Sequence, residues 1–187
     1  MYSLPQEAQS KNAQCNMFTK TDIEKYFTAE KSESLLFIII GITAIVLALI
    51  FFFFLKTNFY KGMALPLLLI AIIQITAGVT VYKRSDDDRK RNTYSYDLNP
   101  SDLKNKEIPR MEKVNKNFVL YRWIEIALLL TGIVLIFLYR LNTERSFWFG
   151  LGVGLAIQAA IGLSADYFAE ARAKVYTTGL KEFTTKF

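Results

Sequence analysis

Histidine is absent from the 187 residues of this chain, and cysteine occurs once, at Cys15. Histidine is the commonest general base and metal ligand and titrates nearest neutral pH, so its absence argues against hydrolytic or zinc chemistry and a simple pH switch. Cys15 lies in a polar tail without the apolar residues that precede a bacterial lipid-attachment cysteine, and we interpret it as a bystander thiol. These shortages predict a protein that is not an enzyme and has no metal or cofactor.

Apolar residues are plentiful, at 52% of the chain, and they are gathered into four long runs. The first 34 residues are polar, so we expect no cleaved signal peptide. Each run is about as long as the roughly 20 helical residues that cross a hydrocarbon core of about 30 Å. Inside lipid, only a helix satisfies its own backbone hydrogen bonds over that length. The sequence therefore predicts an all-α integral membrane protein, a four-helix bundle spanning the lipid bilayer with residues 35–55, 62–82, 118–139 and 147–165.

The basic residues predict the orientation. Lys and Arg number four before the first span, ten between the second and third, and four after the fourth, against two in each remaining connection. By the positive-inside rule both termini and the central loop are cytoplasmic. We interpret the net charge of +6 as a topology and lipid-surface signal, and we expect no nucleic-acid partner.

The chain matches itself at an offset of 88 residues and, after a four-residue slip, at an offset of 84. Polar and glycine matches carry more weight than apolar ones, because apolar strings recur by chance. A duplicated unit with two spans inserts both copies the same way up, so the repeat predicts two parallel helical hairpins around an axis along the membrane normal. The matching pairs are IEK at Ile23 with MEK at Met111, TAIVL at Thr43 with TGIVL at Thr131, FYKG at Phe59 with FWFG at Phe147, and QITAGVT at Gln74 with QAAIGLS at Gln158.

Five segments follow from these patterns. Asp22 is a predicted N-cap of a helix lying in the membrane interface, and Ser101 and Pro109 mark helix starts in the central loop. The fourth helix is expected to run several turns into the cytoplasm, where Gly179 can stop it. The segments are a cytoplasmic N-terminal segment with the interfacial helix (1–34), the first hairpin (35–82), a cytoplasmic charged loop (83–117), the second hairpin (118–165) and a cytoplasmic C-terminal helix (166–187).

Small residues predict where the spans touch. Gly150 and Gly154 in the fourth span, and Gly41, Ala44 and Ala48 in the first, have the spacing that lets helices approach closely in a membrane. The fourth span is therefore the expected central packing helix. A surplus small face would instead bind a partner helix, which leaves a homodimer open.

A few polar residues fall inside the spans, where they cost free energy and normally face the bundle interior. We predict a structural clamp in which Arg122 pairs with Asp166 and the Glu125 carboxyl hydrogen-bonds one or both mid-membrane glutamines. The alternative is a proton or ion path that uses Glu125 as its carrier. The predicted intramembrane polar cluster is Arg122, Glu125, Asp166, Gln74 and Gln158.

Two polar surfaces are candidates for binding a partner. The mixed-charge stretch after the second span is either a solvated loop or a docking surface for a protein or for anionic lipid headgroups. The helix after the fourth span is expected to expose basic and aromatic side chains near that loop. The candidate partner-binding residues are Arg172, Lys174, Tyr176, Asp86, Asp87 and Asp88.

The chain resembles the small multi-pass immunity proteins encoded beside secreted interbacterial toxins. The resemblance covers most of the chain in topology and includes a D-x-x-A-x-x-R-x-x-x-Y tail formed by Asp166, Ala169, Arg172 and Tyr176. It implies a non-enzymatic protein of the bacterial inner (plasma) membrane that binds a cognate toxin and blocks its insertion or oligomerisation. No partner-binding residue is carried over, because that family is variable in sequence.

Two other functions stay open. A small transporter or channel would line its path with Glu125, Gln74 and Gln158, and parallel repeats suit such a fold. A membrane scaffold or sensor would use the charged loop and the C-terminal helix to recruit a subunit of a membrane complex. The expected protein partner is accordingly a toxin or such a subunit.

Overall fold

The structure is a computed structural model that describes residues 18–186, so Cys15 lies outside the described residues. Residues 18–186 form helices and short turns, without a strand. Each of the four long helices is long and apolar enough to cross a membrane, as the sequence predicts. We label them α1 (Lys20–Ile50, extended by a π-helical turn at Phe51–Leu55), α2 (Asn58–Leu98), α3 (Ile108–Tyr139) and α4 (Ser146–Thr184).

Helix α1 begins well before its apolar stretch and continues through it without a break. Thr19 is the N-cap, and the carboxylate of Asp22 accepts hydrogen bonds from the Thr19 backbone N–H and hydroxyl, both at 2.8 Å. Asp22 is thus the third helical residue of a capping box, and its prediction as the N-cap is wrong by one turn. The segment predicted as a helix along the membrane interface is the first part of α1, continuous with the apolar stretch.

The stretch predicted as a charged loop is mostly helical. Helix α2 continues to Leu98, and a short helix at Pro100–Asp102 and a π-helical turn at Leu103–Glu107 lead into α3. Pro109 lies in the first turn of α3, as predicted, since its missing N–H needs no partner there. Helix α4 passes through Gly179, whose Cα faces the ring of Phe18, so the predicted helix end at this glycine is wrong.

The four helices pack in the order α1, α2, α4, α3. Helices α1 and α2 form one hairpin, α3 and α4 form the other, and α2 lies against α4. Gly41, Ala44 and Ala48 are buried, as the small-residue spacing predicts. The central position is shared by α2 and α4, whereas the sequence predicted it for the fourth span alone.

Glycines join the two hairpins at the end where the short turns lie. A Cβ atom on Gly62 would collide with the carbonyl oxygen of Phe147, and one on Gly150 would collide with the carbonyl oxygen of Phe59. Gly62 and Gly150 are 88 residues apart, and so are Phe59 and Phe147. The two contacts are therefore reciprocal. Gly154 lies against Pro66, also 88 residues before it, and only residues without a bulky side chain allow these helix backbones to approach so closely.

The other end of the molecule is polar outside and aromatic inside. We call residues 18–34, 83–117 and 166–186 the polar bundle, because they extend the four helices beyond the apolar stretches 35–55, 62–82, 118–139 and 147–165. Tyr26 and Tyr176 stack at 4.1 Å between ring centroids, and Phe27 packs edge-on against both. Leu103, Met111 and Leu180 complete this core and are fully buried. Burial of this apolar surface stabilises the bundle.

Candidate functional site

Glu107 is the most deeply buried carboxylate of the polar bundle, with 1% of its surface exposed. Arg110 donates two hydrogen bonds to it, from Nε to Oε2 at 2.9 Å and from Nη2 to Oε1 at 2.6 Å. The hydroxyl of Tyr176 donates a third, to Oε1 at 3.3 Å. Bidentate pairing of this kind offsets the desolvation of a buried charge and fixes its direction.

Asp88 forms the second half of the same network. Arg91 lies 2.7 Å from its Oδ1 and Arg84 lies 3.1 Å from its Oδ2. Arg84 also reaches Glu30, at 3.4 Å, and the hydroxyl of Ser85 donates to Glu30 Oε2 at 3.0 Å. The charges balance, because Glu30, Asp88 and Glu107 face Arg84, Arg91 and Arg110.

Burial changes the acidity of groups around this network. It raises the pKa of the Tyr176 hydroxyl, and the negative charge of Glu107 raises it further, so the hydroxyl remains a donor. Burial also raises the pKa of Glu30, although the charges of Arg110 and Arg84 act in the opposite direction. The network connects α1, α2, α3 and α4, so it acts as a tie between all four helices.

The network contains two residues that were predicted to lie on a partner-binding surface. Tyr176 is 3% exposed, with its ring in the aromatic core, and Asp88 is likewise buried. Their predicted exposure on such a surface is wrong, because both side chains are buried inside the bundle. Glu107 and Arg110 were not predicted as members of a site, because their i,i+3 spacing is equally typical of an exposed surface pair.

The remaining predicted binding residues lie on the surface, and within residues 18–186 all of them except Asp87 form an ion pair. Arg172 pairs with Glu33 of α1, and Lys174 lies 2.7 Å from Glu170 one turn earlier on α4. Asp86 pairs with Lys31 and lies 3.5 Å from Arg89. Asp87 is exposed. These contacts join α1 to α2 and to α4, so most of the predicted surface serves to hold the bundle together.

A different surface carries exposed apolar side chains. Tyr167, Phe168 and Val175 are 69%, 63% and 76% exposed, and Ala171 lies between them on the same side of α4. We call these four residues the outer face of α4. Val175 lies ten residues past the end of the fourth apolar stretch, about 15 Å at helical rise.

The predicted intramembrane clamp is wrong in its ion pair. Arg122 donates to Glu170, one turn beyond the predicted partner Asp166. Glu170 is almost fully buried, and its pKa is lowered by the hydrogen bonds from Arg122 and Lys174. A long arginine side chain reaches the more distant carboxylate because it extends toward the polar end of the bundle.

The predicted hydrogen bonds of the clamp are also not formed. Glu125 lies against Gly162, where any side chain would collide with its carboxylate, and its Oε2 is buried without a hydrogen-bond partner. Gln74 and Gln158 are both buried, and the Oε1 of each has no partner. Three acceptor oxygens therefore lie unpaired inside the apolar stretches, where an unmade hydrogen bond costs free energy.

The described residues contain no group of three or more His, Cys, Asp or Glu side chains able to hold a metal ion. The two polar sites differ in charge pairing: the buried network faces three carboxylates with three guanidinium groups, whereas the acceptor oxygens of Glu125, Gln74 and Gln158 have no basic partner among the described residues. Comparison of the chain with protein-family models, with curated proteins and with solved structures finds no match.

Proposed function

We propose that the chain is a non-enzymatic immunity protein of the bacterial inner membrane, which binds a cognate secreted toxin and neutralises it. The outer face of α4 supports this most directly. Its exposed aromatic and aliphatic side chains continue past the apolar stretch on a bundle tied by buried ion pairs, and such surfaces on stable scaffolds typically bind other proteins. The resemblance in topology supplies the class of partner.

The proposal includes an orientation and a duplicated architecture. Both termini and the polar bundle face the cytoplasm, in keeping with the excess of Lys and Arg in these segments. The chain consists of two parallel repeated hairpins, and the reciprocal Gly62 and Gly150 contacts support a two-fold relation between them. A reporter enzyme that is active only outside the cytoplasm, fused after Phe187, tests the orientation: it should be inactive, and activity would reverse the topology.

Co-expression tests the function. Cells that make the toxin encoded beside this gene should die, and cells that also make this chain should survive and yield a complex of the two proteins on purification. A four-span membrane protein of similar size expressed to the same level is the control. Failure of both protection and copurification would overturn the proposal.

A second candidate function rests on a separate observation. The unpaired buried oxygens of Glu125, Gln74 and Gln158 suit the passage of a proton or cation through the bundle, because a path needs acceptors that no protein donor occupies. In liposomes, Glu125→Gln should abolish such a flux, whereas Glu112→Gln, in an exposed pair with Lys181, should leave it intact. Equal flux in the Glu125 variant and wild type would rule out this path.

A further inference from the structure

Helix α3 exposes one continuous stripe along its outer side. The stripe follows the helical period, with steps of three and four residues, and every member is exposed. It begins with two lysines, passes through a tryptophan and ends in apolar side chains. Its members are Lys113, Lys116, Leu120, Trp123, Ala127, Leu130, Val134 and Phe137.

The two lysines at the start of the stripe are exposed on the outer side of α3. Neither Lys113 nor Lys116 forms an ion pair with a described residue, and the adjacent carboxylate of Glu112 is bound by Lys181 at 2.6 Å. Many other cations of the polar bundle are paired, such as Arg110 with Glu107 at 2.6 Å. The stripe therefore carries two positive charges that remain available to an external anion.

The depth of each residue along α3 corresponds to a part of a phospholipid. The third apolar stretch begins at Phe118, which puts Lys116 about 3 Å and Lys113 about 7.5 Å outside it at 1.5 Å per residue. Trp123 is 65% exposed and lies about 7.5 Å inside, within reach of the interface that tryptophan favours. The apolar members of the stripe then lie where acyl chains run.

We propose that the outer stripe of α3 is a binding site for a phospholipid with an anionic headgroup. Lys113 and Lys116 bind the headgroup charge, Trp123 packs at the glycerol level, and the apolar side chains contact the acyl chains. Positive charges next to a membrane attract anionic lipids, and the two unpaired lysines are complementary to such a headgroup.

The first hairpin provides an internal comparison. The corresponding stripe of α1, 88 residues earlier, is also exposed, but Thr28, Ser32 and Leu35 stand where α3 has Lys116, Leu120 and Trp123. Only Lys25 matches a lysine of the α3 stripe, Lys113. The α1 stripe has the same shape without the second charge or the aromatic ring, so the anionic-lipid site belongs to α3.

Brominated lipids test the proposal in the full chain. With Trp148→Phe as background, Trp123 is the sole tryptophan and reports which lipid touches the stripe. In mixed vesicles, quenching of Trp123 fluorescence should show that brominated phosphatidylglycerol occupies the stripe in preference to phosphatidylcholine by about fivefold. This preference should fall as salt is added. Lys113→Gln with Lys116→Gln should remove the preference.

A matched control removes the same charge elsewhere. Lys25→Gln with Lys104→Gln changes two exposed lysines away from the stripe and should keep the preference for phosphatidylglycerol. Circular dichroism and thermal unfolding establish that both double variants are folded, as expected for exposed positions. Equal quenching by the two lipids in the background protein, or an unchanged preference after loss of Lys113 and Lys116, would overturn the proposal.

Discussion

The two hairpins share their packing and differ in their charges. Gly62 and Gly150 occupy equivalent positions and make the same kind of contact, each with a carbonyl oxygen of the other hairpin. Arg122 and Glu125 of the second hairpin stand where the first has Ser34 and Phe37. Close backbone contact restricts a position to glycine in both halves, whereas a polar position is free to change once the packing is secure.

A second difference concerns the pair of residues, three positions apart, at the start of the first helix of each hairpin. Thr19 and Asp22 form a cap at the start of α1, while Glu107 and Arg110, 88 residues later, form a buried ion pair at the start of α3. One pair satisfies helix backbone groups near solvent, and the other ties four helices together. The comparison indicates that the second half supplies the specialised interactions.

Loss of the buried ion pair should have the largest effect. Glu107→Gln leaves Arg110 as a buried charge without its carboxylate, so the free energy of unfolding should fall by about 3 kcal/mol or more. Asp22→Asn, at the equivalent pair of α1, should cost about 1 kcal/mol. Thermal unfolding in detergent measures both, and equal losses would contradict the distinction between the two pairs.

The reciprocal glycines should give the next largest effect. Gly62→Ala and Gly150→Ala each force a Cβ against a backbone carbonyl oxygen, so each should lower the unfolding free energy by about 2 kcal/mol, and by similar amounts. Gly179→Ala meets the movable ring of Phe18 and should cost less. A large loss at only one of Gly62 and Gly150 would show that the contact is not reciprocal.

Removing the charge specific to the second hairpin should have a smaller effect. Arg122→Ser introduces the residue of the first hairpin and takes a donor from Glu170, which keeps Lys174, so the loss should be about 1 kcal/mol. A carboxylate with a lowered pKa contributes stability that is lost as pH falls below the ordinary value of 4.5. The variant should therefore lose less stability between pH 5 and pH 3 than the wild type, and an identical pH profile would contradict the role of Arg122.

The smallest effect should come from moving the lipid site to the first hairpin. Thr28→Lys with Leu35→Trp, in a chain whose other tryptophans are phenylalanine, gives α1 the charge and ring of α3. Quenching by brominated phosphatidylglycerol should then exceed quenching by brominated phosphatidylcholine about twofold. Absence of any preference would show that α3 needs more than these side chains to select the lipid.

The sequence predicted the membrane helices because length and apolar composition determine which segments can span a bilayer. It also predicted the small faces of α1 and α4, since Gly41, Ala48 and Gly150 follow helical spacing. It did not predict the long polar bundle. The charges between residues 83 and 98 are equally typical of a solvated loop and of a helix paired with its neighbours, and only the fold decides between them.

The ion pairs were harder to predict from the sequence than the helices. Asp166 and Glu170 are one turn apart on α4, and the pairing of Arg122 with Glu170 depends on the direction of one long side chain. Tyr176 lies at a position expected to be exposed, but the first turns of α1 cover it with Tyr26 and Phe27. The contacts of Tyr176 with Tyr26 and Phe27 join residues about 150 positions apart, and local sequence spacing does not indicate them.

Survival of toxin-expressing cells tests the central claim most directly, with the outer face of α4 altered by Phe168→Ser and Val175→Ser. The matched control is Tyr94→Ser with Leu98→Ser, which changes two exposed apolar residues of α2 in the first hairpin. We predict that the wild type and the α2 variant protect the cells and that the α4 variant, expressed and folded to the same level, does not. Protection by the α4 variant equal to that of the wild type would contradict the claim that this face of the second hairpin binds the toxin.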